Sequence, residues 1–113
     1  MLLQIYFEVK ETNAEAFEDM YEKVYIPAMQ VQEGYIGSRL LRVFPPAEGE
    51  DPGTQYNYQM NLVFDTEENR LKWVASDEHQ DAFPKAQALA EGFAAEKYDV
   101  VGEDELPYSL EHL

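Results

Sequence analysis

Two stretches of this chain alternate apolar and polar residues with a period of two, and that alternation constrains the fold more than any other feature of the sequence. Leu3, Ile5, Phe7 and Val9 share one face of the first stretch, with Gln4, Tyr6, Glu8 and Lys10 on the other. Tyr56, Tyr58, Met60, Leu62 and Phe64 alternate in the same way with Asn57, Gln59, Asn61 and Val63. Strands patterned like this bury one face and pair at their edges. Both therefore belong to a sheet with an apolar layer packed on it.

The intervening segments supply that layer. Phe17, Met20, Tyr21, Val24 and Ala28 recur at spacings of three and four, the stripe of an amphipathic helix, while Glu18, Asp19, Glu22 and Lys23 take the wet side. Thr12 and Glu15 stand at capping-box spacing at its start, and Pro27 predicts its end or a kink near Tyr25 or Ile26. Gly34 marks a turn, and a second strand runs over residues 35–44, partly apolar on both faces. Residues 45–54 form an acidic loop rich in Pro and Gly. Asp65 and Glu68 open a second helix after the Tyr56–Phe64 strand. It divides into two parts, 67–75 and about 77–93, because Ser76 and Asp77 are good caps and Pro84 is hard to hold inside an unbroken helix. Tyr98-Asp99-Val100-Val101 reads as the fourth strand. The order βαββαβ predicts an α+β, ferredoxin-like domain with an antiparallel sheet over residues 1–102. Residues 103–113, with Pro107 and His112, form an acidic C-terminal extension.

Composition removes several functional classes. Eight basic residues against 23 acidic ones give a formal net charge of −15, which disfavours nucleic acid or any other polyanion as a partner. No apolar run is long enough to span a bilayer, and the first residues lack the basic segment of a signal peptide, so a cytoplasmic protein with no membrane contact is expected. The absence of cysteine excludes disulfides, thiolate catalysis and Cys-ligated zinc. There is no phosphate loop, Gly-rich dinucleotide turn, nucleophile elbow or metal-ligand spacing, so no cofactor and no metal are expected.

A few residues remain that could carry chemistry, each with a plainer reading beside it. Trp73 is a core ring with a satisfied indole N–H, or a pocket wall that stacks on a flat substrate. His79 is a half-exposed residue near a helix N-terminus, or a general base kept neutral there. The eight tyrosines, among them Tyr56 and Tyr58 on one strand face and Tyr21 and Tyr25 on one helix face, serve packing or orient a substrate oxygen. Arg39 and Arg42 pair with the abundant carboxylates or receive an anionic substrate.

Two segments carry a resemblance to a known family. Glu33-Gly34-Tyr35-Ile36-Gly37-Ser38 resembles the Pro/Glu-Gly-Phe-x-Gly turn, and Trp73-Val74-Ala75-Ser76-Asp77-Glu78-His79 the Trp-x-x-Ser-x-x-His/Phe segment, of the antibiotic-biosynthesis-monooxygenase family in the dimeric α+β barrel superfamily. The resemblance implies a homodimer whose two sheets face each other, with helices on the far side of each sheet and a pocket between helices and sheet. Leu3, Ile5 and Phe7 would then meet the helices, and Gln4 and Tyr6 the partner. Family members include cofactor-independent oxygenases of anthrones and phenols, and haem-degrading enzymes. At the positions of the haem-degrading members' Asn and His this chain has Phe7 and Phe83, which cannot ligate iron, and His79 lies four residues earlier. The implied activity is therefore a cofactor-independent monooxygenase of a small aromatic or phenolic compound, with His79 as the base and Phe7, Tyr58, Trp73 and Phe83 as the pocket. The other reading is a non-catalytic, ligand-binding or stress-associated dimer.

Overall fold

A computed structural model describes residues 1–104, so most of the extension expected over 103–113, including Pro107 and His112, lies outside the described residues. The two alternating segments are the central strands. β1 (Leu2–Glu8) and β3 (Tyr58–Phe64) pair antiparallel, with Leu3 opposite Leu62, Ile5 opposite Met60 and Phe7 opposite Tyr58. Every one of these six side chains is buried under the helices. β2 (Tyr35–Arg42) joins the outer edge of β3, and β4 (Gly92–Tyr98) joins the outer edge of β1. The sheet order is β2-β3-β1-β4, the ferredoxin-like arrangement expected from the element order.

Four helical segments cover one face. α1 (Ala14–Met20) continues through a π-helical turn (Tyr21–Tyr25) into α2 (Ile26–Gln30). The first helix therefore does not stop at Tyr25 or Ile26. The Ile26 N–H reaches back to the Tyr21 carbonyl, so the ladder widens by one residue just ahead of Pro27. Pro27 then falls in the first turn of α2, where its missing N–H costs least. Thr12 does not cap this helix either, because a 3-10 turn (Glu11–Asn13) precedes α1 and Asn13 takes the cap position. α3 (Glu67–Ala75) and α4 (Asp77–Ala88) divide at Ser76 as expected. The cap of α3 is Thr66, whose hydroxyl accepts from the Asn69 N–H at 3.1 Å. Pro84 lies inside α4 with its ring exposed, and the helix runs past it.

The end of the second helical region differs from the sequence expectation. α4 stops at Ala88, and Phe93 belongs to β4. Phe93-Ala94-Ala95-Glu96-Lys97 favours helix by local propensity, but the free edge of β1 pairs with it residue by residue, from Leu2 opposite Tyr98 to Glu8 opposite Gly92. Asp99, Val100 and Val101 fall beyond the strand. Tyr56 also lies outside β3. Its ring sits 6.1 Å from Tyr6 on the open face of the sheet, whereas Tyr58 is buried on the helix face, so the two tyrosines do not share a face.

Asn57 fixes the start of β3. Its side-chain carbonyl accepts from the Val9 N–H and its amide donates to the Val9 carbonyl, both at 2.8 Å. Among the described residues, no helix is long and apolar enough to cross a membrane.

Candidate functional site

The core under the helices is a continuous array of aromatic rings. At the helix end Tyr25 meets Trp73 edge-on at 5.7 Å, Trp73 meets His79 at 4.9 Å and 90°, and the His79 imidazole stacks on Phe83 at 5.4 Å and 8°. At the sheet end Phe7 meets Phe17 at 5.0 Å and Phe17 meets Tyr58 at 5.1 Å. Phe93 joins the two ends, 5.2 Å from Phe83 and 6.4 Å from Phe7. Phe93 is itself exposed and His79 and Phe83 are half-buried; each of the other rings is fully buried and stabilises the fold by roughly 1.5–3 kcal/mol, before any gain from ring geometry.

The helix end owes its geometry to one serine. Ser76 Oγ donates to the Trp73 carbonyl at 2.7 Å and accepts from the His79 N–H at 3.2 Å. It thus closes α3 and opens α4 at once. With three residues on either side, this corner turns the Trp73 and His79 rings toward each other. The Trp-x-x-Ser-x-x-His spacing is the sequence trace of that corner.

His79 is half-buried. Burial lowers its pKa below the ordinary imidazole value, and the Arg70 guanidinium lowers it further. Arg70 is itself buried, 8% exposed, and its Nε donates to Glu67 at 2.5 Å. The neutral imidazole thus arises from desolvation and a nearby cation, and the expected effect of the helix N-terminus is not needed to explain it. Among the described residues, two buried side-chain polar atoms have no hydrogen-bond partner: His79 Nδ1 and the Tyr25 hydroxyl.

The expected pocket residues divide into two groups. Trp73 and Phe83 flank His79, while Phe7 and Tyr58 lie across Phe93 and Phe17 at the sheet end. Phe7, Tyr58 and Trp73 are 0%, 1% and 1% exposed, so they are walls of a closed core in the single chain. The Tyr58 hydroxyl points out of that core and donates to Glu18 at 2.5 Å; burial and the Glu18 carboxylate raise its pKa. Arg42 pairs with the same Glu18 oxygen at 3.4 Å, the plainer of its two readings. Arg39 lies on the opposite face of the sheet from the rings, level with Asn61.

Phe7 and Phe83 offer no iron ligand, and Phe7 is fully buried, so the residues present do not fit a haem. Among the described residues, no group of three or more His, Cys, Asp or Glu side chains is placed to hold a metal ion. A cleft of about 500 Å³ runs beside α1, lined by Glu11, Glu15, Glu18, Asp19, Glu22 and Arg42. Its carboxylates repel anions, and it is separate from the His79 corner.

Sequence reasoning missed four participants. Phe17 was assigned to a helix stripe but not to the array. Phe93 was placed in a helix. Tyr25 is paired in the sequence with Tyr21, for packing or for orienting a substrate oxygen, with nothing to single it out. Arg70 gave a signal that could have found it: it stands three residues before Trp73 and three after Glu67, so it lies on the buried stripe with a carboxylate in reach.

Comparison with known proteins follows the same lines. No curated protein matches the chain. Among solved structures, a protein from Arabidopsis thaliana superposes with a TM-score of 0.74 at 12% identity, covering 92% of this chain and 98% of its own. SnoaB, described as a cofactor-independent oxygenase from Streptomyces nogalater, superposes with a TM-score of 0.64 at 17% identity, covering 95% and 96%. A dimeric ferredoxin-like protein of unknown function from Jannaschia sp. CCS1 gives 0.69 at 14% identity, covering 88% and 97%. These likenesses establish the fold. The family model described as antibiotic biosynthesis monooxygenase matches residues 1–85, and the chain belongs to that family.

Proposed function

We propose that this protein is a cofactor-independent oxygenase of a small, electron-rich phenol or anthrone, acting as a homodimer. The observation that carries the reading is the His79 imidazole: half-buried, held neutral, with Nδ1 unpartnered, edge-on to Trp73 and stacked on Phe83. Such a group accepts a proton from an activated C–H or O–H at neutral pH. The resulting carbanion reacts with O₂. One oxygen atom becomes the quinone carbonyl, and the other leaves as water with two substrate hydrogens, both from the reacting carbon of an anthrone or one each from the ring C–H and the O–H of a phenol, so no external reductant is needed. The protein's part is orientation, exclusion of water and stabilisation of charge. The relation to SnoaB agrees with this chemistry.

The test is oxygen uptake with anthrone and hydroquinone for the wild type, His79→Ala and Trp73→Phe. Loss of the base should slow the reaction by roughly 10²- to 10⁴-fold. Equal rates in all three proteins remove both residues from the mechanism. The closed sheet end of the array, with Phe7 and Tyr58 at 0% and 1% exposure, favours a second reading as a non-catalytic ligand-binding dimer. That reading gains if no substrate consumes oxygen while small aromatics still bind.

Dimerisation would use the open face of the sheet. Ile36 and Tyr98 stand 65% and 41% exposed there, near half-buried Leu2, Tyr6 and Val63. Sedimentation equilibrium should give twice the chain mass, and Val63→Asp should return it to one. A monomeric wild type at micromolar concentration refutes the dimer.

A further inference from the structure

The open face of the sheet carries one cation without a counter-charge. Among the described residues, seven of the eight Lys and Arg side chains make an ion pair and Arg39 makes none, although the chain holds 23 Asp and Glu residues. Arg39 is half-buried, and it borders a shallow cavity of about 270 Å³ on that face, lined also by Leu2, Ile36, Gly37, Asn61 and Val63. Nothing inside the chain requires the glycine. Its φ is not positive, and a Cβ there would meet nothing within 4 Å. A glycine inside a strand weakens it and marks a place where a ligand or another chain comes close.

The strand register shows which surface fits there. It sets Arg39, Asn61, Gln4 and Glu96 in one row across the open face, and Gly37, Val63, Leu2 and Tyr98 in the next. In the first row a cation stands on the β2 edge and a carboxylate on the β4 edge. In the second, a gap stands on the β2 edge and a ring on the β4 edge. Glu96 is exposed and makes no ion pair among the described residues, and Tyr98 is 41% exposed. Three strand spacings, about 14 Å, keep Arg39 from the Glu96 of its own chain. A two-fold axis parallel to the strands turns this face onto a second copy row upon row and reverses the strand order, so β2 lies over the partner's β4. A two-fold across the strands sets β2 over the partner's β2, which contains no Asp or Glu to meet Arg39.

We infer that the open face receives a second copy of this chain in one register: Arg39 pairs with the partner's Glu96, and the partner's Tyr98 ring fills the cavity over Gly37. Each contact is made twice, about a two-fold parallel to the strands. The inference rests on the reading of the open face as a dimer surface and extends it to the axis and to the two contacts that select that axis. Facing sheets lie about 10 Å apart, a gap that an Arg and a Glu side chain span together from opposite sides. A guanidinium binds a carboxylate through parallel N–H donors, so the pair fixes register as well as adding attraction.

Sedimentation equilibrium of the full-length protein tests the register, with circular dichroism to show that each variant is folded. Arg39→Glu sets two carboxylates against each other at both contacts, and Glu96→Arg sets two guanidinium groups; each should weaken dimerisation by roughly tenfold or more. Mixed in equal amounts, the two variants should recover dimerisation to within about threefold of wild type, because their heterodimer restores an opposite-charge pair at both contacts. Gly37→Val fills the cavity without a clash inside the chain and should also weaken dimerisation by roughly tenfold or more. The inference is overturned if either charge reversal dimerises like the wild type, if the mixture stays monomeric, or if Gly37→Val dimerises like the wild type. A monomeric wild type is a different failure, that of the dimer itself. If that monomer binds benzoate and Arg39→Glu does not, the cavity belongs to a small carboxylate and the inference is overturned with the dimer.

Discussion

Gly34→Ala tests the joint between the two halves of the fold. Gly34 has φ +78°, the left-handed region, where an L-residue costs about 1–2 kcal/mol. A Cβ there would also fall against Asp65 Oδ1 and Asn69 Nδ2, well inside contact distance. Two hydrogen bonds cross or brace this spot: the Asp65 N–H donates to the Gly34 carbonyl at 2.9 Å, and Asn69 Nδ2 donates to Asp65 Oδ1 at 2.8 Å. Disturbing each costs roughly 0.5–1.5 kcal/mol. The total loss is about 2–5 kcal/mol, or roughly 10–30 °C in Tm for a domain of this size. Urea unfolding of wild type, Gly34→Ala and Gly53→Ala supplies the measurement, since a Cβ at Gly53 meets nothing within 4 Å. Gly53→Ala should stay within about 0.5 kcal/mol of wild type. Repeating Gly34→Ala in an Asn69→Ala background should recover about 1 kcal/mol by making room. A Gly34→Ala loss no greater than that of Gly53→Ala refutes the argument. A full loss with no coupling to Asn69 would reduce it to backbone strain alone.

Two further predictions concern Asn57 and His79. Asn57→Ala strips both side-chain bonds from the Val9 backbone, leaving a buried N–H and carbonyl unpaired, and should cost about 2–3 kcal/mol in urea unfolding; a change under about 0.5 kcal/mol would mean that water replaces the amide. His79 has a folded pKa below its unfolded value, so the unfolded chain takes up the proton first. Its contribution to stability is therefore fully present above about pH 7.5, falls as pH drops through the unfolded value near 6.5, and levels off below the folded pKa. The wild-type minus His79→Gln difference in unfolding free energy between pH 5 and 8 isolates this effect, and parallel curves would show that His79 titrates alike in both states.

What the sequence made legible followed from how local its causes are. The inward faces of β1 and β3 needed only alternation, and the Ser76 corner only two cap preferences three residues from Trp73 and His79. The errors came where a distant partner decides. Phe93 through Lys97 has helical composition, and only the free edge of β1 makes it a strand. Pro27 signals a helix end, and the π-turn that accommodates it depends on where Tyr21 and Tyr25 pack. Tyr56 and Tyr58 have strand spacing, but β3 begins only where Asn57 clamps Val9, and Tyr56 falls before that clamp. The Trp73, His79 and Phe83 rings lie close in sequence and touch. Tyr25 and Phe93 reach the same array from elements far along the chain.

Phe93 is the solvent-facing part of the array, 44% exposed, whereas Tyr25 and Trp73 are closed in at 0% and 1%. It bridges Phe7 and Phe83, the two positions whose side chains rule out an iron ligand. Of the three phenylalanines only Phe7 is fully buried; Phe83 is half-buried and Phe93 exposed, so water reaches the helix face of the sheet beside β4. Two buried side-chain polar atoms without a partner, His79 Nδ1 and the Tyr25 hydroxyl, belong to rings that both touch Trp73; desolvation and Arg70 keep His79 neutral, and burial keeps the Tyr25 hydroxyl protonated. An unpaired polar atom in a low-dielectric interior costs the fold the solvation it has given up. Tyr25→Phe, which removes the hydroxyl and keeps the ring, should therefore hold or raise Tm, the opposite of what truncating Phe7, Phe17 or Tyr58 should do.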